Sequence, residues 1–357
     1  MLLVLALAGA PGCSGGGDGD EDGGDGDGSP GDDGGPGGGD SGSGGDDGGS
    51  GGDDGGGSGG DDGGVSGYDC DDPHPSWLLC EDFEQGGGDF DTWFEQSDFV
   101  TSVGRDDRGR IDLSSEQARS GDWSVYMPAA ESSGYQGADL TWVDCEGEQE
   151  TNCTPSGHDQ LYFRVWVRFA EDHQYVHHFL NVGGLDRFWP YGSAGCLPNG
   201  ESGMGTTVDF DEGTHESYFY TYHLDMSCDT NCDRYADVDA ICSDCADKGF
   251  PTCTEQEQCC WGNHFRPDEP KPFPVGEWFC FEMTMEANTP GETDGSMAYW
   301  IDGELAHRAE GIRWRTTSDL QLNRARVQHY IASGDADSSN RVWFDDAVVS
   351  TERIGCE

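Results

Sequence analysis

Residues 217–225 read SYFYTYHLD, which in an extended strand sets Tyr218, Tyr220 and Tyr222 on one side and Phe219, Thr221 and His223 on the other. Three tyrosines in line are unusual on a solvated face. Residues 161–169, LYFRVWVRF, put Leu161, Phe163, Val165, Val167 and Phe169 on an apolar face and Tyr162, Arg164, Trp166 and Arg168 on its reverse. Aromatic rings interleaved with guanidinium forks suit a sugar platform, since rings stack on C–H faces and forks bind hydroxyls or carboxylates. A third segment, 320–331, alternates Arg324, Arg326, Gln328 and Tyr330 against Ala325, Val327, His329 and Ile331. Glu282 and Glu286, four apart, place two carboxylates on one strand face. Paired carboxylates about 5 to 5.5 Å apart are the nucleophile and acid of a retaining glycosidase. The ordinary alternative for each of these faces is solvated sheet.

To act together, the three polar-aromatic faces must belong to strands that one curved sheet gathers into a groove. From residue 68 onward the chain supplies such strands: short alternating runs separated by Gly, Asp, Asn and Pro, with no amphipathic helix of useful length. This is the pattern of an all-β sandwich. At about 290 residues it is long for a single sandwich, and the excess is concentrated at 228–260, where seven cysteines fall in 33 residues. That stretch reads as a disulfide-rich insertion. Cys242-Ser-Asp-Cys245 hints at zinc, but no second pair follows at ribbon spacing.

The rest of the chain concerns where the domain is kept. Residues 1–12, MLLVLALAGAPG, are small and apolar and stop at Cys13, too short to span a bilayer, which needs about 20 apolar residues. A signal peptide is expected instead. Ala10-Pro11-Gly12-Cys13 resembles the lipobox of bacterial lipoproteins, with Ala10 where leucine is preferred, and implies lipidation at Cys13 and an anchor in the outer membrane or at the cell surface. Setting Cys13 aside leaves 14 of 15 cysteines, an even number in a chain bound for an oxidising compartment, so up to seven disulfides are expected. Residues 14–67 are nearly all Gly, Asp, Ser and Pro, with 15 acidic residues and no Lys or Arg. With nothing apolar to bury, this stretch reads as a disordered tether with an r.m.s. span of roughly 40 Å.

Of the net charge of −53, the tether accounts for −15 and leaves −38 on residues 68–357. That excludes nucleic acid as a natural partner, because such proteins neutralise phosphates with clusters of Lys and Arg. The membrane is expected as a partner through the lipid anchor alone. No cofactor is identified. A structural calcium ion is compatible with so acidic a chain, although the tether lacks the strict nonapeptide period of a calcium-binding repeat.

Several stretches resemble the jelly-roll polysaccharide lyases that act on alginate and glucuronan, within the concanavalin A-like lectin and glucanase class. They are CEDFEQG at 80–86 with Trp93, SGDWSVYMP at 120–128, EWFCFEMTMEANTPGETDGSMAYWIDGE at 277–304 and VWFDDAVVSTERIG at 342–355. The resemblance implies a concanavalin A-like β-jelly-roll sandwich, with the cysteine-rich stretch as an insertion, that binds a polysaccharide. It also implies β-elimination, in which the uronate carboxylate is neutralised, a base removes the C5 proton and an acid serves the leaving oxygen. Tyr220-Thr-Tyr222 stands where these lyases carry a Tyr-x-Tyr pair, after a Gly183-Gly184 turn. The family's lysine near that turn has no counterpart, since the only lysines are Lys248 and Lys271, and no arginine stands in MGTTVDF, 204–210. His178, Asn181 and Arg164 or Arg168 would have to replace them. His177 and His178 read equally as a structural pair. Two other readings remain: a non-catalytic lectin-like or structural surface module, and a laminarinase-type glycosidase. The latter's Glu-x-Asp-x-Glu pattern is resembled by Glu282 to Glu286, with Thr284 for the middle Asp.

Overall fold

A computed structural model describes residues 70, 72–101, 111–128, 136–144, 156–173, 176, 178–186, 196–211, 213–226, 261–331 and 340–356. The leader with Cys13, the tether, His177, Lys248 and the 228–260 insertion lie outside the described residues.

The strands in chain order are β1 (Trp77–Glu81), β2 (Phe99–Val100), β3 (Asp112–Ser114), β4 (Ser124–Pro128), β5 (Gln136–Val143), β6 (Gln160–Phe169), β7 (His178–Leu185) and β8 (Gly203–Phe210). They continue as β9 (Ser217–Tyr222), β10 (Asn263–Phe265), β11 (Trp278–Glu286), β12 (Gly295–Ile301), β13 (Glu304–Ile312), β14 (Arg324–Ile331) and β15 (Arg341–Ser350). Among the described residues one short α-helix, α1 (Phe90–Phe94), is capped by Asp89, whose carboxylate accepts from the Thr92 N–H at 2.9 Å.

Two antiparallel sheets pack as a sandwich. One runs β13-β12-β11-β6-β15-β4-β3, with β1 also paired to β15; the other runs β10-β9-β8-β7-β14-β5-β2. We call them the β6 sheet and the β9 sheet. The alternation in β6 works as read: Leu161, Phe163, Val165, Val167 and Phe169 are fully buried and face Phe179, Val182, Val208 and Phe219 of the β9 sheet within one core. Asp302 and Gly303, both at positive φ, close the two-residue β12–β13 hairpin, for which Asp-Gly is the favoured pair. Gly183 and Gly184 lie inside β7 and form no turn, which corrects the sequence reading. A Cβ on Gly184 would come within 1.8 Å of the Gln321 carbonyl oxygen, so the glycine is required by close backbone approach.

Cys70–Cys80 and Cys280–Cys356 are disulfides, and Cys196 is also disulfide-bonded. All five cysteines among the described residues are therefore paired. Thiol titration of denatured, unreduced protein is expected to find close to none, and two or more free thiols per chain would remove the oxidising-compartment argument.

Candidate functional site

The outward face of the β9 sheet collects most of the side chains expected to act on a sugar. Cross-strand register puts Arg326 of β14 opposite Asn181 of β7, Asn181 opposite Thr207 of β8, Thr207 opposite Tyr220 of β9 and Tyr220 opposite His264 of β10. A parallel row runs Arg324, Gly183, Gly205, Tyr222. The two adjacent glycines take side chains out of its middle and leave backbone as the floor beside Asn181.

His178 begins β7 and is held in place from behind. Its Nδ1 lies 3.0 Å from Oδ2 of Asp209, a buried carboxylate whose Oδ1 also accepts from the Phe179 N–H. An imidazole fixed through one nitrogen has a defined tautomer. The ring stacks on Tyr330, with centroids 5.7 Å apart, and meets Tyr220 at 5.1 Å. The Tyr220 and Tyr222 hydroxyls are 3.3 Å apart. On the far side of Tyr220 lies Gly262, where a Cβ would come within 2.7 Å of the phenol ring.

Asn181 donates from Nδ2 to the Thr206 carbonyl at 2.8 Å and the Thr207 hydroxyl at 3.2 Å. So oriented, it offers the face an acceptor, which cannot neutralise a carboxylate. Arg326 can. Its Nε donates to the Thr141 hydroxyl at 2.9 Å and lies 3.9 Å from buried Asp139, leaving the guanidinium partly exposed on this face. Gln328, half-buried, stands opposite Asp139. Arg324 is buried, so it is not a surface group.

Tyr218 is corrected as a stacking platform. It is buried because the Arg266 guanidinium, paired with Asp211, lies 4.1 Å over its ring and His264 packs beside it at 4.7 Å. Desolvation, and the nearby Arg266 charge, push the His264 imidazole down from its ordinary value. The sequence reading passed over Asp209, Arg266 and His264. Alternation alone would have put Asp209 on the face of Thr207, but nothing local marks β10 as a neighbour of β9.

The polar face of β6 is elsewhere. Its strand belongs to the other sheet, so Tyr162, Arg164, Trp166 and Arg168 point out on the opposite side of the sandwich from Tyr220 and cannot share a groove with it. Arg164 is buried between Glu282 of β11 and Val348 of β15. Trp166 lies under Arg119, 4.2 Å above its ring, and the Arg119 backbone is fixed by Asp345 at 2.7 Å. Tyr162 accepts from Gln160 Nε2 at 3.1 Å, and Arg168 lies between Trp343 and Trp278.

The carboxylate pair does not form a glycosidase site either. Glu282 is fully buried and accepts from the backbone N–H groups of Ile354 (2.7 Å) and Gly355 (3.2 Å). Burial raises its pKa. It anchors the segment after β15, while Glu286 is exposed and accepts from the Ser296 hydroxyl. Neither an exposed strand face nor a nucleophile–acid couple describes the two. Among the described residues no group of three or more His, Cys, Asp or Glu is arranged to hold a metal ion.

An antiparallel sandwich with a polar-aromatic outward face is the class of structure that these strands define. No family model matches the chain, and no curated protein matches it. Solved structures similar to it include alginate lyase Aly36B, 12% identical over 78% of this chain and 98% of that one, with a TM-score of 0.46. Alginate lyase vAL-1 from Chlorella virus is 14% identical over 68% and 94%, with a TM-score of 0.42. The endo-β-1,4-glucuronan lyase from the fungus Trichoderma reesei is 13% identical over 78% and 92%, with a TM-score of 0.39. These are likenesses of chain path, at identities that assign no residue.

Proposed function

We propose that the outward face of the β9 sheet binds a uronate-containing polysaccharide and cleaves it by β-elimination. The observation that carries this is the grouping of His178, backed by Asp209, with Tyr220 and Tyr222, across Asn181 from Arg326. Arg326 is the cation for the uronate carboxylate, whose neutralisation acidifies the C5 proton. His178 and Tyr220, ring against ring, are the pair that removes that proton and protonates the leaving oxygen. Tyrosine ionises near pH 10 in water, so a phenolate base would need a cation beside it, and His178 is the neighbour of Tyr220 that can carry a charge. Tyr222, Gln328 and Tyr330 extend the surface for neighbouring sugar units. We assign the protein to the cell surface through a lipid on Cys13, with the tether holding the domain clear of the membrane.

The test is a panel of uronate polymers incubated with the whole protein while the ultraviolet absorbance of the unsaturated product end is followed. Release of that product from any member supports the lyase. Binding of a polymer without product favours the lectin-like module, which the same face also suits. Neither binding nor product sinks both.

A further inference from the structure

Inside the sandwich, away from the candidate site, three buried histidines form a chain. His173 Nδ1 lies 3.2 Å from His215 Nε2, and His173 Nε2 lies 3.3 Å from His329 Nε2. They come from three separate places: the segment following β6, the turn between β8 and β9, and β14. The central ring uses opposite nitrogens on its two partners, which makes a hydrogen-bonded chain and not a converging ligand set. A neutral imidazole has one donor and one acceptor, so either tautomer of His173 can satisfy both contacts with neutral neighbours, whereas two adjacent protonated rings would set donor against donor at their contact.

The surroundings give a charge no support. His173 packs on Phe169 at 4.3 Å and on Phe210 at 5.8 Å, and Phe210 stacks on His215 at 5.0 Å. Burial pushes the His173 imidazole well below its ordinary value, with His329 and His215 adding to the effect, and burial lowers His215 too. Of the nearby acidic groups, Glu171 and Asp172 are exposed, Asp211 is paired with Arg266, and Asp209 is engaged with His178. Lys271, two residues before Phe273, is paired with Glu304. His329 stands between Gln328 and Tyr330, where the β14–β7 register shifts, and Tyr330 is the ring stacked on His178.

We propose that His215, His173 and His329 form an acid-released latch, which ties these three segments together and through β14 fixes the surface that carries Gln328 and Tyr330. The sign follows from linkage. In the unfolded chain a histidine protonates at about pH 6.5, while in the fold burial holds His173 and His215 neutral to lower pH. The stability these two contribute is therefore full above about pH 6.5 and is lost as the pH falls, with up to two protons taken up by them on opening.

Hydrogen exchange on the whole protein, expressed as protection relative to the unfolded chain, is the test. Between about pH 7.5 and about pH 5, protection at 170–173, 213–215 and 325–331 is expected to fall together by tenfold or more, while β11 and β12 keep theirs. The thermal midpoint should fall by about 10 °C or more over the same range. His173→Gln, which keeps a donor and an acceptor but cannot charge, should flatten that dependence; His215→Gln gives the same comparison if the first does not fold. Burial also lowers His223, His264 and His307. Acid opening centred on those residues, spread evenly over the domain, or unchanged in the glutamine variants would overturn the latch.

Discussion

On a polymer that the wild-type protein cleaves, Tyr220→Phe should retain binding and lose turnover by about a hundredfold to ten-thousandfold, the range for removing a general acid or base. The substitution keeps the ring that packs on His178 and His264 and deletes only the hydroxyl. His178→Ala should lose turnover to a similar extent, and it also strips Asp209 of its imidazole partner. Trp166→Ala should leave both binding and turnover as they were, because Trp166 lies on the opposite side of the sandwich. If Trp166→Ala weakened glycan binding while Tyr220→Phe did nothing, the assignment of the site to the β9 sheet would be wrong. A lectin-like module would show small changes in affinity with Tyr220→Phe and no turnover to lose.

Glu282→Ala should destabilise the domain by about 3 to 5 kcal/mol in a urea titration, the range for breaking a buried charged network by removing one partner. The carboxylate accepts two backbone N–H groups, lies 3.7 Å from Arg353 and faces Arg164 across the strand pair. Glu282→Gln preserves an acceptor for those N–H groups and should cost less, with the difference reporting the charge facing Arg164. An alanine variant within about 1 kcal/mol of wild type would mean that Cys280–Cys356 and the other contacts of the segment, such as Arg353 on the Gly303 carbonyl, hold it without the carboxylate.

Alternation made the faces legible. LYFRVWVRF buries the five residues it should, SYFYTYHLD presents Tyr220 and Tyr222 outward, and Arg326 alternates against Val327 as read. The Asp-Gly hairpin was also readable from its turn chemistry. A strand's period says which side chains share a face but not which sheet the strand joins, so the β6 platform was grouped with tyrosines it cannot reach. Local pattern was equally silent on what covers a face. Arg266 over Tyr218 and the segment 354–355 over Glu282 are contacts between residues 48 and more than 70 positions apart. His329 was seen as part of an apolar alternation, and the partners that make it a chain of imidazoles come from two other elements.

The order of strands sets the order of assembly. β14 lies between β7 and β5 in one sheet, and β15 lies between β6 and β4 in the other, yet both follow every other strand of the two sheets in the chain. Until they arrive, the β9 sheet is split into two parts and the β6 sheet into three, β1 among them, with unpaired inner edges. A chain emerging residue by residue from a ribosome therefore cannot complete either sheet from its earlier strands. Such long-range pairing folds slowly, so both sheets close only as β14 and β15 insert.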